Sequence, residues 1–366
     1  MKDQLYCGLD LHKRFSYIVV KNSAGFQLAK GRVENNEVDI SNFFAPFGGH
    51  HIKVALEATS NYYWMFETLD RMNMDVNLSH PLKTKMIADA KIKSDKIDAN
   101  VLADLLRSNF LPTSYIPPKK TRELREILRH RIRLVTMRSS LKNRLRDILT
   151  KNNIKDPYTD ITGVKARQFI KELPLAPVFK LQRDDLLDQI DFINKKVENI
   201  NRILKTYAED YPEVSRLTEI PGIGIFSALI LLAEIGDINR FPSPKKLVNY
   251  AGLCPGLHQS GTTCYNRPIT NQGDKYLRWI LTEAAFHAIR HPGPLKDFYT
   301  SLFKTKGCQR AIIAVSRKML VGIYFVLKDN KPFNPVRRKK LLKYNENLDK
   351  PGLGTWSTKE TVETIG

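Results

Sequence analysis

The sequence is poor in cysteine, in long apolar runs and, beyond its first third, in acid. Its four cysteines (Cys7, Cys254, Cys264 and Cys308) form no CxxC pair and no zinc-ligand spacing. A reduced, cytoplasmic setting is therefore expected. The longest apolar runs, around residues 226–232 and 319–327, are too short to span a bilayer. The opening residues lead straight into a strand-like pattern with no signal-peptide apolar region, so the chain reads as soluble. Acid is the scarce charge: 38 Asp and Glu stand against 59 Lys and Arg, a formal net charge of +21. Such an excess points to a polyanionic partner, most simply nucleic acid. The imbalance is not uniform. Residues 1–113 carry 14 basic and 13 acidic residues, so the remaining +20 falls on residues 114–366. A length of 366 residues suits two or three domains.

What acid there is in the first third sits at particular places. Leu5-Tyr-Cys-Gly-Leu-Asp10 is a short apolar run ending in a carboxylate, and Ile52-Lys-Val-Ala-Leu-Glu57 is another. Between them, strands are predicted near residues 16–21 and 26–33, separated by turn chemistry at Asn22-Ser-Ala-Gly25, followed by a helix near 37–47. An aromatic-rich helix near 61–72 and a strand near 74–79 follow. Residues 91–107 read as a helix from the spacing of Ile97, Val101, Leu102 and Leu105, with Ser94 or Asp95 suited to its start. Asp95 and Asp98 then share one face of its first turn, where two carboxylates repel unless a cation or proton lies between them. Three antiparallel strands followed by alternating helix and strand predict a mixed α/β sheet. If the first and fourth strands are neighbours, Asp10, Glu57, Asp95 and Asp98 converge at one sheet edge. An all-oxygen set suits Mg2+ or Mn2+. Asp104 reads as a surface residue.

This D…E…DxxD order, with Leu56-Glu-Ala-Thr-Ser60 and Lys93-Ser-Asp-Lys-Ile-Asp-Ala99, resembles the DEDD-type insertion-sequence transposases, a family that includes the Piv-type DNA invertases. The resemblance implies a RuvC-like, ribonuclease-H-like α/β domain over 1–113. It also implies metal-binding and catalytic roles for Asp10, Glu57, Asp95 and Asp98.

Pro112 and Pro117-Pro118 mark a boundary. Residues 114–210 read as a basic helical spacer, with 13 basic against 3 acidic residues over 119–155. Leu186, Ile190, Ile193, Val197, Ile200 and Leu204 keep a 4-3-4-3-4 spacing, the a/d pattern of a coiled coil. That seam could close within one chain as an antiparallel hairpin or pair two subunits. Arg131, Arg138, Arg144 and Arg146 are expected to be unpaired and to face nucleic-acid phosphate.

Residues 211–330 read as mainly α-helical. Pro221-Gly-Ile-Gly224 before an apolar run looks like a helix-hairpin-helix turn, in which Gly222 and Gly224 would let backbone amides approach phosphate. Asn249-Tyr-Ala-Gly-Leu-Cys-Pro255, Gln259-Ser-Gly261 and Arg267-Pro-Ile-Thr-Asn-Gln-Gly-Asp-Lys-Tyr-Leu-Arg278 resemble the carboxy-terminal transposase domain of the same family. Asp274 departs from the family's more usual Asn, and either residue can cap a helix. The resemblance implies that Ser260 is a nucleophile, with Arg267, Lys275 and Arg278 nearby to stabilise developing charge. His258 is a candidate base, and Thr262 and Thr263 are alternatives to Ser260. Residues 331–366 read as a basic, polar tail, mostly disordered.

The reading as a whole is a prokaryotic, nucleoid-associated DNA transposase or recombinase of a mobile element. The resemblance further implies donor and target DNA as partners, guidance by a bridge RNA, and dimers assembling to a tetramer. Two alternatives stand: a hydrolytic RuvC-like junction nuclease that needs no serine, and a non-catalytic nucleic-acid-binding protein.

Overall fold

The computed structural model describes residues 3–59, 61–87, 95–260, 263–269, 272–331 and 333, with 257–260 and 263–267 described by backbone alone. The expectations for a cap at Ser94, for Thr262 beside Gly261 and for nearly all of the tail lie outside the described residues. The chain divides into two compact units at Pro117/Pro118.

The first unit carries strands β1 (Gln4–Leu11), β2 (Phe15–Lys21) and β3 (Gln27–Glu34), helix α1 (Glu37–Phe44), strand β4 (His51–Glu57), helix α2 (Tyr62–Arg71), strand β5 (Asp75–Ser79), and helices α3 (Pro81–Ile87) and α4 (Asp95–Arg107). The sheet order is β3-β2-β1-β4-β5. The first three strands are antiparallel, and β4 joins β1 in parallel with Leu9 opposite Leu56. It is the mixed α/β sheet expected, with α3 as an unanticipated short helix.

Side-chain alternation divides this sheet into two faces. Leu5, Cys7, Leu9 and Leu11 of β1 pack with Ile52, Val54 and Leu56 of β4 and with Ile40, Met65 and Leu69 of the helices α1 and α2. Strand period two sends the even positions of β1 and the odd positions of β4 to the other face. That face belongs to α4, whose backbone at Ala99 and Ala103 lies directly over Gly8. Asp10 and Glu57 therefore share the α4 face.

The second unit begins with two helices of 33 residues each, α5 (Lys119–Lys151) and α7 (Pro177–Glu209), with α6 (Val164–Glu172) between them. Leu141, Leu145, Ile148 and Leu149 of α5 pack with Leu186, Ile190 and Ile193 of α7. Leu124 and Leu128 share a core with Ile200 and Leu204. The start of one helix thus meets the end of the other, which makes an antiparallel hairpin within one chain. The heptad-like seam is consumed there, against α5.

Helices α8 (Pro212–Thr218), α9 (Ile225–Ile235) and α10 (Pro244–Tyr250) follow, then a hairpin of β6 (Pro255–Ser260) and β7 (Thr263–Ile269), then α11 (Lys275–Ala288) and α12 (Pro294–Lys328). The unit is mostly helical, as expected, with the β hairpin as an addition. Helix α12 bends at Gly307, which adopts φ 76°. Asp274 caps α11 by accepting hydrogen bonds from the backbone amides of Tyr276 and Leu277, so the cap expected of either Asp or Asn is made. No described helix is long and apolar enough to cross a membrane.

Candidate active site

Strand register brings the first two acids together. Leu9 pairs with Leu56, so Asp10 and Glu57 follow at the carboxyl ends of adjacent parallel strands, on one face. Helix α4 begins at Asp95, and its first turn also contains Asp98. The electrostatics at Asp10 report the convergence. Asp10 is only 7 % exposed, and its carboxyl is pushed up to about 6, first by burial. His12 opposes that shift, while Glu57, Asp95 and Asp98 each raise it further. Glu57, Asp95 and Asp98 therefore all lie within electrostatic reach of the buried Asp10 carboxyl.

The structure adds a residue that the sequence reading missed. His12 Nε2 lies 3.2 Å from an Asp10 carboxylate oxygen and 3.1 Å from an Asp95 oxygen. One sequence signal could have found it: a histidine two positions after a strand-end aspartate is carried to the same edge. Its backbone is held in place, because its carbonyl accepts hydrogen bonds from the side chains of Asn35 and Asn61. Ser16 and Thr59 in turn hold those two amides.

Asp104 is not simply a surface acid. It is 42 % exposed, yet it accepts a hydrogen bond of 2.7 Å from the buried ammonium of Lys21 on β2. The pair pins α4 to the sheet two turns beyond Asp98.

Three carboxylates around a buried fourth favour a proton or a cation. The donor set fits a divalent ion: one carboxylate is shielded from water, others are open enough to leave room for substrate, and an imidazole nitrogen faces the same point. Among the described residues, ligand atoms of Asp10, His12 and Asp95 lie within 4.8 Å of one another and could hold such an ion, with Glu57 and Asp98 in electrostatic reach of Asp10.

The expected phosphate-facing arginines are corrected in part. Arg131 donates to Asn201 across the hairpin at 2.7 Å and lies 3.7 Å over the Phe226 ring. Arg138 bonds Asn194, and Arg146 bonds Asp156 and the Thr159 carbonyl. Facing the polar side chains of α7 and of the loop that follows α5, these three arginines find neutral or acidic partners inside the chain. They are not unpaired. Arg144 is exposed.

Gly222 has φ +87°, and a Cβ there would meet the Ala284 carbonyl oxygen of α11 at 2.2 Å. Its glycine is explained by helix packing. Gly224, at the start of α9, has open space where a Cβ would go. Lys275 opens α11 and lies 5.1 Å from the Tyr276 ring centroid. Arg278 donates to the Ala251 carbonyl at 3.3 Å, which ties α11 to the segment leading into β6. Ser260 is the last residue of β6 and pairs with Thr263, the first residue of β7. The side chains of His258, Ser260, Thr263 and Arg267 lie outside the described residues.

The fold and site define a class: an α/β domain with a carboxylate-lined sheet end, followed by a mostly helical basic unit. Comparison with known proteins makes it specific. A transposase family model of the DEDD IS110 type matches residues 7–154, and one described as the Transposase IS116/IS110/IS902 family matches residues 214–300. A transposase for insertion sequence element IS1533 from Leptospira borgpetersenii is 25% identical over 353 residues, covering 94% of this chain and 100% of the relative. The transposase for insertion sequence element IS1111A from Coxiella burnetii is 26% identical over 287 residues, 75% of this chain and 77% of the relative. A pilin gene-inverting protein from Moraxella bovis is 35% identical over 176 residues, 46% of this chain and 55% of the relative. The chain belongs to the IS110-type family of DEDD transposases, and is an enzyme of the transposase and recombinase class.

Proposed function

We propose that this protein cuts and rejoins DNA for a mobile element, with a divalent cation held by Asp10, Glu57, Asp95 and Asp98 and with Ser260 as nucleophile. The observation that carries the first half is the buried Asp10 carboxyl, pushed up to about 6 by burial and, against His12, by three further acids. Its surroundings favour added positive charge. When bound, a hard cation such as Mg2+ or Mn2+ supplies charge against the scissile phosphate and against its attacking and leaving oxygens. The α/β unit is read as RuvC-like, since two strand ends and a helix start deliver the acids in the family's order.

The serine half rests on the family motif around Gln259-Ser260-Gly261. Ser260 Oγ attacks phosphorus, so that an Oγ–P bond forms as the P–O bond to the leaving deoxyribose breaks. The serine proton passes to a base, for which His258 is the candidate, and the leaving oxygen is protonated to a hydroxyl. The phosphoester is conserved, and reversal rejoins the strand. Arg267 and Lys275 supply positive charge beside the hairpin, while Arg278 supports its base through Ala251. Donor and target DNA, a bridge RNA and a dimer assembling to a tetramer are the partners of this reading, placing the protein on the nucleoid. The net +20 of residues 114–366 suits such a phosphate load.

With a suitable DNA substrate and Mg2+, the wild type is expected to yield a protein–DNA adduct that survives denaturation. Ser260→Ala should lose both the adduct and strand exchange, and Asp10→Asn should lose cleavage while still binding nucleic acid. A folded Ser260→Ala protein that still recombines DNA would sink the serine mechanism. Full cleavage by Asp10→Asn would remove the acid cluster from the reaction. Cleavage with no adduct would favour the hydrolytic nuclease.

A further inference from the structure

His12 stands where the acids meet. Its Nε2 is sealed from solvent, sits 3.2 Å and 3.1 Å from oxygens of Asp10 and Asp95, and makes no hydrogen bond among the described residues. A buried ring nitrogen without an oriented hydrogen bond is costly unless another group takes its proton or its lone pair. The spacing is informative. Ligand atoms at right angles around a six-coordinate ion, each about 2.1 Å from it, stand about 3.0 Å apart. Both N···O separations are close to that edge length. Ligand atoms of Asp10, His12 and Asp95 all lie within 4.8 Å of one another.

The ring is also held from behind. Its centroid is 4.6 Å from that of Phe15, and the Arg32 guanidinium lies 3.9 Å over the other ring. With the His12 carbonyl bonded to Asn35 and Asn61, both the backbone and the ring of this residue are set before any ligand arrives.

We propose that His12 is a nitrogen ligand, through Nε2, to the divalent cation of this site, together with Asp10 and Asp95, and that it tilts the site towards Mn2+ over Mg2+. The inference rests on the metal-dependent reading above and adds to it an identity for one ligand. Mg2+ is hard, favours oxygen and gives up water reluctantly, whereas a transition ion tolerates an imidazole in place of water. The Nε2 lone pair is the donor, so the neutral ring carries its proton on Nδ1.

The test uses the full chain with Mn2+ as the sole metal and no nucleic acid. Pulsed electron paramagnetic resonance should show nitrogen modulation from a bound imidazole, and 15N-histidine labelling of the wild type should change its frequency. His12→Ala and His12→Gln should lose the modulation and bind Mn2+ at least about tenfold more weakly. Their Mg2+ affinity should fall less, so the Mn2+/Mg2+ preference shrinks. Asp10→Asn is the control for the site itself and should abolish Mn2+ binding. If Mn2+ binds and Asp10→Asn abolishes it, but the wild type shows no nitrogen signal, the His12 inference is overturned and the metal site stands. A signal unchanged by histidine labelling overturns it equally. A wild type that binds no Mn2+ overturns both readings.

Discussion

Replacing Gly8 with alanine tests whether the α4 face of β1 is as close to its helix as the acid cluster requires. A Cβ at Gly8 would stand 1.9 Å from the Ala99 carbonyl oxygen and 2.6 Å from the Ala103 amide nitrogen. Both atoms belong to helix backbone, so no side chain can rotate aside. The helix itself must retreat by an ångström or more, parting Ala99, Leu102 and Ala103 from the sheet. Overpacking of a well-filled core costs about 1–3 kcal/mol, and a backbone partner places this site at the upper end. The lost flexibility of the unfolded chain returns about 0.5–1 kcal/mol. The net expectation is a loss of about 2 kcal/mol or more. Urea unfolding of the full chain, with hydrogen exchange read separately on β1 and α4 peptides, measures the effect and locates it. The control is Gly224→Ala, where a Cβ meets open space and stability should move by no more than about 0.5 kcal/mol. Gly8→Ala should also weaken Mn2+ binding, since α4 carries Asp95 and Asp98. Wild-type stability and unchanged α4 protection in Gly8→Ala would refute the close approach.

Other substitutions probe the second unit. Glu234 is 2 % exposed and accepts hydrogen bonds from Nε and Nη2 of Arg129 at 3.0 and 2.9 Å, with Arg125 Nε forming an ion pair at 3.2 Å. Glu234→Ala strands the Arg129 guanidinium and leaves Arg125 only its bonds to the Ala233 and Glu234 backbone carbonyls, and it should cost about 3 kcal/mol in urea unfolding. Asp274→Ala removes the cap of α11 and should cost about 1 kcal/mol, whereas Asp274→Asn should be nearly neutral by the same measurement. Asp160 is held down at about 2 by hydrogen bonds from Lys142 and from Thr162. A depressed folded value means its contribution is present above pH 4 and is lost as pH falls from 4 towards 2. Its side chain is 62 % exposed, so the effect is modest. Thermal unfolding at pH 5 and pH 2.5 should differ less in Asp160→Asn than in the wild type.

Much of the first unit was legible because its signals are local. Apolar runs of strand length ending in Asp10 and Glu57, turn chemistry at Asn22–Gly25 and a helix period through Leu102 and Leu105 need no distant partner to be read. The second unit was less so. The arginines of α5 read as free because a helix period says which face a residue occupies, and not what stands opposite. Asn194 and Asn201, some 56 and 70 positions away, answer that only once the hairpin closes. The packing role of Gly222 was hidden for the same reason, since Ala284 and Ala288 approach it from a helix more than sixty residues downstream.

What the sequence determined by itself was the inventory: which residues carry charge, where strands end and helices begin, and the alternation that sets Asp10 and Glu57 opposite Leu9 and Leu56 on their strands. Tertiary structure decided the adjacency. The parallel pairing of β1 with β4 places two strand ends side by side, and the descent of α4 onto Gly8 brings Asp95 to them. Only then does His12, unremarkable in the sequence, face two carboxylates at about 3 Å. The physical reason is one of range: propensity and periodicity act over a few residues, whereas a carboxyl's protonation depends on every charge and every excluded water within several ångströms, whatever their distance along the chain.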